Sequence, residues 1–310
     1  MTLEMGHKTT YFRERPSVII SVGDVCNYKC VMCFNPLINT KRKFITDTMF
    51  YRTFDMCMRH KIVVDSIGSI GEPLLHKNFM TYQRYAKSNG MPCTFATNCS
   101  LLYPDITDEL IKDGLGDQIS LSMYSSNASE HKMYTGTSTF EQTYENVKYF
   151  LKTWSSSGRK MKVKFGFLPL QGINDYTQFM NVWHPLTESV GLKIEIKNAG
   201  NWGTAVSGFK NEFELNYPRR CPELNYFLIH HDGKIGPCHV MHGEDAIFFG
   251  DINSDDIMDV WSSEKYNNFK NAHYAKKVAL YKKCQNCSDR FLKIPLHPKL
   301  LFRKVLDRLR

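Results

Sequence analysis

The segment CNYKCVMC places Cys26, Cys30 and Cys33 within eight residues, directly after the apolar run SVIISV. Seven of the ten cysteines cluster in this way, the other four being Cys221, Cys238 and the pair Cys284 and Cys287 in CQNC. Thiolates gathered in a short loop suit an iron–sulfur cluster, whose complete ligation usually takes four cysteines. Three leave one iron open. On a helix the same spacing, i, i+4 and i+7, would put three small residues on one buried stripe, but Gly23, Asp24, Asn27 and Pro36 mark the segment as loop. In the second half, four thiolates including one C-x2-C pair suit structural zinc as well as a cluster. Ligand count alone leaves both open.

The elements that must position these residues show in the periodicity. Apolar, β-branched runs at Val18 to Val22, Val63 to Ser69, Cys93 to Thr97, Gln118 to Met123, Met161 to Phe167 and Leu192 to Lys197 read as strands. Helical patterns lie between them at Thr46 to His60, Asn78 to Ser88, Ile106 to Asp113, Phe140 to Trp154 and Tyr176 to Val190. Strands and helices alternating in this order predict an α/β chain with a parallel sheet, curled into a whole or partial barrel. Functional groups then collect at the C-terminal strand ends, where the first three cysteines fall. The pattern stops near Lys197, and NAGNWGTAVSGFKNEFELNYPRR reads as a linker. Beyond it, NYFLIHHDGKIGPCHV predicts a hairpin turning at Asp232-Gly233, and FGDINSDDIMDVWSSEKYNNFKNAH a strand end leading into a helix.

Composition limits what this chemistry can serve. With 42% hydrophobic residues in 310, the chain can bury a full core, one large unit plus a smaller one. The N-terminus lacks the apolar stretch of a signal peptide, and no run approaches the ~20 apolar residues of a membrane span, so a cytoplasmic, reducing location is expected. There, clustered cysteines point to metal or catalysis rather than to disulfides. The net charge of +9 is uneven, since residues 291–310 hold six basic residues against Asp307. A basic footprint confined to one tail argues against nucleic acid as a partner. In KLLFRKVLDRLR, Leu301, Val305 and Leu309 recur every four positions between basic residues, the pattern of a basic amphipathic helix docked on the body or in peripheral contact with a membrane.

The cysteine spacing in the loop after strand one resembles the signature of the radical S-adenosylmethionine (radical SAM) superfamily. The resemblance implies a partial (β/α)6 barrel over residues 17–200 and a [4Fe–4S] cluster on Cys26, Cys30 and Cys33. Its open iron chelates S-adenosylmethionine, which is cleaved to a 5′-deoxyadenosyl radical. An electron donor such as flavodoxin or ferredoxin is implied as well. Met32 stands where the family often has an aromatic residue near the adenine. GSIGEPLLH resembles the family's Gly-Gly-Glu segment, with Gly71 and Glu72 in register, and Glu72 would accept hydrogen bonds from the cofactor's ammonium group. ATNCS resembles Thr-Asn-Gly, with Asn98 in register and Cys99 where glycine is common. ISLSMY resembles Ile-Ser-Leu-Asp, placing Ser122 against ribose or carboxylate. For each tripeptide an ordinary turn or strand tip is the plainer reading, and for Glu72 a helix cap.

The second half resembles the SPASM and twitch domains appended to many members of that superfamily, including the stretch GDIN…DIMDVW and the upstream NWG. After an N-terminal extension (1–16), the barrel and a linker (201–220), this implies an auxiliary domain over 221–290 and the terminal helix over 291–310. No further cysteine follows CQNC, so the resemblance implies the shorter twitch form, with one auxiliary [4Fe–4S] cluster on Cys221, Cys238, Cys284 and Cys287. Neighbouring His230, His231, His239 and His242 read as surface or hairpin residues, or as supporting or substrate contacts.

A fully ligated auxiliary cluster implies electron transfer. Hydrogen abstraction from a carbinol carbon, followed by loss of a proton and an electron, would oxidise a carbohydrate- or aminocyclitol-type alcohol to a ketone, as in the smallest twitch enzymes. Epimerisation instead needs a hydrogen-atom donor. Of the spare cysteines, Cys57 in a helix and Cys93 in a strand read as core, whereas Cys99 at a strand's catalytic end is the candidate donor. A ribosomally made precursor peptide is the rival substrate, although the roughly 17 residues before the first strand are few for a leader-binding domain. A non-catalytic zinc-binding interaction module would leave CNYKCVMC unexplained.

Overall fold

The computed structural model describes residues 13–38, 42–92, 94–170, 172–197, 200, 214–218, 221–243, 245–285, 287 and 291–293. The first part alternates β1 (Ser17–Ile20), α1 (Asp47–Arg59), β2 (Val63–Ile67), α2 (Phe79–Ser88), β3 (Thr94–Thr97), α3 (Pro104–Asp113), β4 (Gln118–Leu121), α4 (Ala128–Thr135), α5 (Phe140–Ser156), β5 (Lys162–Phe167), α6 (Tyr176–Ser189) and β6 (Ile194–Ile196). Strands β1 to β6 run parallel in sequence order, the sheet of a partial (β/α)6 barrel. Ile119, Leu121, Phe165 and Phe167 point from the strands into the layer beneath the helices, where Phe179 and Trp183 are fully buried beside them. Their alternates, Ser120, Lys164 and Gly166, face the lumen.

Local chemistry sets the helix ends. Thr46, Asn127 and Asp175 accept the backbone N–H three residues on, capping α1, α4 and α6. Gly114 and Gly136 end α3 and α4 in the left-handed conformation, at φ 57° and 73°. Helix α4 is absent from the periodicity reading. Its buried residues are Glu130, His131, Tyr134 and Thr135, so its inner face carries no apolar stripe.

The second part holds β7 (Glu214–Pro218), β8 (Tyr226–Ile229), β9 (Lys234–Gly236), β10 (Gly250–Asp251), α7 (Ile257–Ser262), α8 (Glu264–Tyr274), α9 (Lys282–Gln285) and β11 (Phe291–Lys293). The hairpin β8–β9 turns at Asp232-Gly233, and β8 lies parallel to β1, so one nine-stranded sheet runs β10-β9-β8-β1-β2-β3-β4-β5-β6. The auxiliary region is thus an extension of the barrel sheet rather than a detached lobe. Arg52 to the Asn253 carbonyl (2.7 Å) and His60 to Asp256 (2.8 Å) fasten its outer edge to α1.

Two expected boundaries are corrected by a small sheet. Residues 214–218 form a strand inside the expected linker, and it pairs with 291–293, where the terminal helix was expected to begin. The amphipathic run itself lies outside the described residues, as do residues 1–12, Cys93 and Trp202. Among the described residues no helix is long and apolar enough to cross a membrane.

His131 is buried between Ser125 (2.9 Å from Nδ1) and Thr139 (3.2 Å from Nε2), and burial pushes its imidazole down to about 4. An unfolded histidine titrates near 6.5, so the folded state takes up its proton later. His131 therefore contributes fully above about 6.5, and its contribution is lost as pH falls toward about 4. Unfolding free energies from urea titration of the wild type should drop relative to those of His131→Gln across this range, by about 1–3 kcal/mol. A constant difference would refute a buried neutral imidazole.

Candidate functional site

The three-cysteine loop follows β1 and is seated from every side. Tyr28 reaches Thr139 and Thr143 at 3.0 Å, and the amides of Lys29 and Val31 donate to the carbonyls of Thr135 and Tyr134 at the end of α4. Asn27 donates to Ser100 (2.8 Å) and accepts from Asn98 (2.8 Å), joining the loop to the tip of β3. Arg42 donates to the Asp24 and Asn35 carbonyls and closes the far end. Beneath it lies Gly71, at φ 78°, where a Cβ would stand 2.3 Å from the Val25 carbonyl oxygen. Only glycine lets the two loops touch there.

Cys26, Cys30 and Cys33 share one cavity of about 180 Å³ with Met32, Gly71, Glu72, Asn98 and Ser122. Every position that the family resemblance singled out for the cofactor therefore lines this one cavity. Within the loop, the amides of Tyr28 and Asn35 point at the sulfurs of Cys26 (3.5 Å) and Cys33 (3.4 Å). Met32 is oriented by the Tyr134 hydroxyl, 3.2 Å from its sulfur. Glu72 lines this cavity and also has the helix-cap geometry that its sequence context allowed. Its carboxylate accepts from Thr97 (2.8 Å), the Asn98 amide (2.6 Å) and the Leu74 amide (3.2 Å), which makes it the cap of the short helix Pro73–Leu75 and the clamp that fixes Asn98. A carboxylate has about four acceptor positions, so about one remains for the cavity.

A second, apolar cavity is lined by Cys221, Cys238, Cys284 and Cys287 together with Leu224 and Phe269. Between the two cavities runs the segment after Cys238. His239 lines the first cavity, and His242 stacks on Phe34 at 4.9 Å, next to Cys33. His242 also meets buried His230 at 4.8 Å, and burial pushes both imidazoles down to about 3. Gly236 leaves room for the His230 ring, whose Nε2 would lie 3.0 Å from a Cβ there. These three histidines are thus interior or cavity groups. Sequence alone offered only their proximity to Cys238.

Cys99 does not line the cavity, which corrects the donor expectation. Its thiol is fully buried in the hydrophobic core, and its backbone has φ 68°. That left-handed conformation is why glycine is common at the position. Cys57 is likewise fully buried in the core.

The sequence matches the radical SAM superfamily over residues 20–175, half of the chain. The chain belongs to the radical SAM superfamily. Residues 221–288 match the SPASM iron–sulfur cluster-binding domain, a range that contains all four later cysteines. A tungsten-containing aldehyde ferredoxin oxidoreductase cofactor-modifying protein of Pyrococcus furiosus is 23% identical, over 87% of this chain and 86% of that one. In fold, the chain resembles BtrN in complex with AdoMet and 2-DOIA (TM-score 0.59, 14% identity, 90% of this chain and 98% of that one). It also resembles Streptococcus suis SuiB bound to precursor peptide SuiA (TM-score 0.65, 15% identity, 83% of this chain and 66% of that one).

The radical SAM and SPASM domains carry [4Fe–4S] clusters, with S-adenosylmethionine on the first, and the residues fit both groups. Among the described residues no three His, Cys, Asp or Glu side chains are close enough to share a single metal ion. Both cysteine sets line cavities and turn their sulfurs toward a common space, the donor chemistry that an iron–sulfur cluster takes. Burial, reinforced by the neighbouring thiols, pushes Cys33 up to about 11 and Cys221 up to about 12, and Cys30 and Cys238 further. Only strong positive charge inside the cavities would hold these sulfurs as thiolates.

Anaerobic reconstitution should give about eight irons per chain, as two four-iron clusters require. Replacing Cys26, Cys30 and Cys33 by Ala should halve the iron and abolish cofactor cleavage. Retained cleavage would displace the site. Gly71→Ala should lose iron from the first cluster alone and cost about 1–3 kcal/mol in stability, since a side chain there meets backbone at an unfavourable φ. Full loading with an unchanged unfolding midpoint would show that the two loops need no such contact.

Proposed function

We propose that the protein oxidises an alcohol carbon of a carbohydrate- or cyclitol-type substrate to a ketone. With reduced cluster and S-adenosylmethionine bound, the first cavity is supplied with a 5′-deoxyadenosyl radical that takes a hydrogen atom from the substrate carbon. The chain's own residues organise what surrounds that event. Asn98, fixed by Glu72 and Asn27, and Ser122 hold the cofactor against the Cys26–Cys33 loop. His239 meets the substrate on the opposite side, adjacent in sequence to Cys238. After hydrogen removal the carbinol must still lose one proton and one electron to become a ketone, and the electron leaves toward the cavity of Cys221, Cys238, Cys284 and Cys287.

The observation that carries this reading is the juxtaposition of the two cavities through Cys238 and His239. A second one supports oxidation over epimerisation. Returning a hydrogen atom to the opposite face needs a donor at the cavity, and among the described residues the only thiols there are Cys26, Cys30 and Cys33.

Turnover of a panel of polyols and sugars by the reconstituted enzyme should yield a product two hydrogens poorer, without solvent deuterium. Cys99→Gly should form it within about twofold of the wild-type rate, because its side chain makes no transition-state contact. A redox-neutral product carrying deuterium from the solvent would eliminate the dehydrogenase, and turnover confined to a peptide would replace the substrate class.

A further inference from the structure

The barrel lumen carries a cation that neither cluster site uses. Lys197 follows β6 and lays its side chain across Gly166 of β5, where a Cβ would come within 3.0 Å of its Cε and 2.7 Å of the Glu195 carbonyl oxygen. Glycine at 166 is what lets this lysine lie flat. Its Nζ is then 3.5 Å from the Tyr124 hydroxyl and 5.4 Å from the centre of that ring, and the hydroxyl donates to Ser122 at 3.3 Å. Ser122 lines the cofactor cavity. Among the described residues no carboxylate lies within ion-pair distance of Lys197.

Several of the neighbouring lumen positions carry small side chains. Closed eight-stranded barrels fill their lumen with bulky branched residues. Here Ala96, Ser120 and Lys164 stand opposite one another on β3, β4 and β5, and Gly166 lies two residues further along the same face. Small side chains surround two lysines.

The geometry points to an oxyanion-binding subsite at Lys197, with Tyr124 as its support, for a phosphate or carboxylate carried by the substrate. Resting on the substrate oxidation proposed above, this narrows the substrate class. An ammonium-bearing aminocyclitol would be repelled at this position, whereas an anionic sugar or cyclitol derivative would be held with its carbinol toward Ser122 and the radical. Lysine binds such groups as a point charge.

The subsite can be tested without the substrate. Inorganic phosphate and acetate are titrated separately into the dithionite-reduced holoenzyme, and line broadening by the paramagnetic cluster is followed by phosphorus or carbon NMR. S-adenosylhomocysteine is present at saturation, so that a carboxylate like the cofactor's already occupies its own place. Saturable broadening is expected for at least one anion, about tenfold weaker in Lys197→Gln and retained in Lys197→Arg, a difference of about 1.4 kcal/mol. The anion broadened identifies the oxyanion. Equal broadening in Lys197→Gln would overturn the subsite, as would broadening that is seen only when S-adenosylhomocysteine is left out, which would assign the lysine to the cofactor's carboxylate, or no broadening with either anion. Neither result depends on whether the product is a ketone, so a failure of the oxidation reading would leave this measurement intact.

Discussion

The structure of the site answers to one electrostatic constraint: seven thiols that would become thiolates on ligation stand in places that water solvates poorly. Burial raises the pKa of Cys26, Cys30, Cys33, Cys221 and Cys238, and in most of them a neighbouring thiol raises it further. Ligation needs the deprotonated form, so the iron charge that enters with the cluster must offset both burial and thiol repulsion. The protein's share is preorganisation. Amides of Tyr28 and Asn35 already point at sulfur, and Arg42 lowers the pKa of Cys26 and Cys33.

The second constraint is distance between the two clusters, and sheet topology meets it. Placing β8 beside β1 makes the auxiliary hairpin the direct sheet neighbour of the strand that carries the first cysteine loop. Five residues then suffice to supply a thiol of the second cavity at Cys238, a wall of the first cavity at His239 and a stack on the first loop at His242. A detached domain on a linker would have to recreate that alignment at each closure. Because a parallel ladder fixes register, Ser17 to Ile20 against Tyr226 to Ile229, the alignment here is a property of the fold.

What the sequence revealed followed from how each feature is encoded. Alternating apolar runs located all six barrel strands and five of their helices, because each element has one face in a core that only apolar side chains fill. Helix α4 escaped since its inner face carries Glu130, bonded to Ser126, His131, bonded to Ser125 and Thr139, and Thr135, bonded to Thr137, and such pairings are invisible to periodicity. The short strand at 214–218 escaped because its pairing partner lies far along the chain. At the site, cysteine spacing picked out the thiols that line the two cavities, since residue type marks them directly. Lys197 and His239 gave no such signal. Their roles depend on Gly166 lacking a Cβ and on where β8 docks, both of them tertiary facts.

Cys99 shows why a position can be legible and its role not. Its place after Thr97 and Asn98 puts it at a catalytic strand end, which is what made a spare thiol there attractive. Yet the backbone turn that aims Asn98 at the cavity forces residue 99 to φ 68°, and the side chain then points into the core. A non-glycine residue in that conformation costs about 1–2 kcal/mol. Burying the small thiol side chain returns a comparable amount, about 0.8 kcal/mol per methylene-sized group. The two nearly cancel, so cysteine and glycine are close to equivalent for stability while only glycine is free of strain. The residue at 99 is therefore set by the turn that serves Asn98, and its chemistry is incidental to the radical.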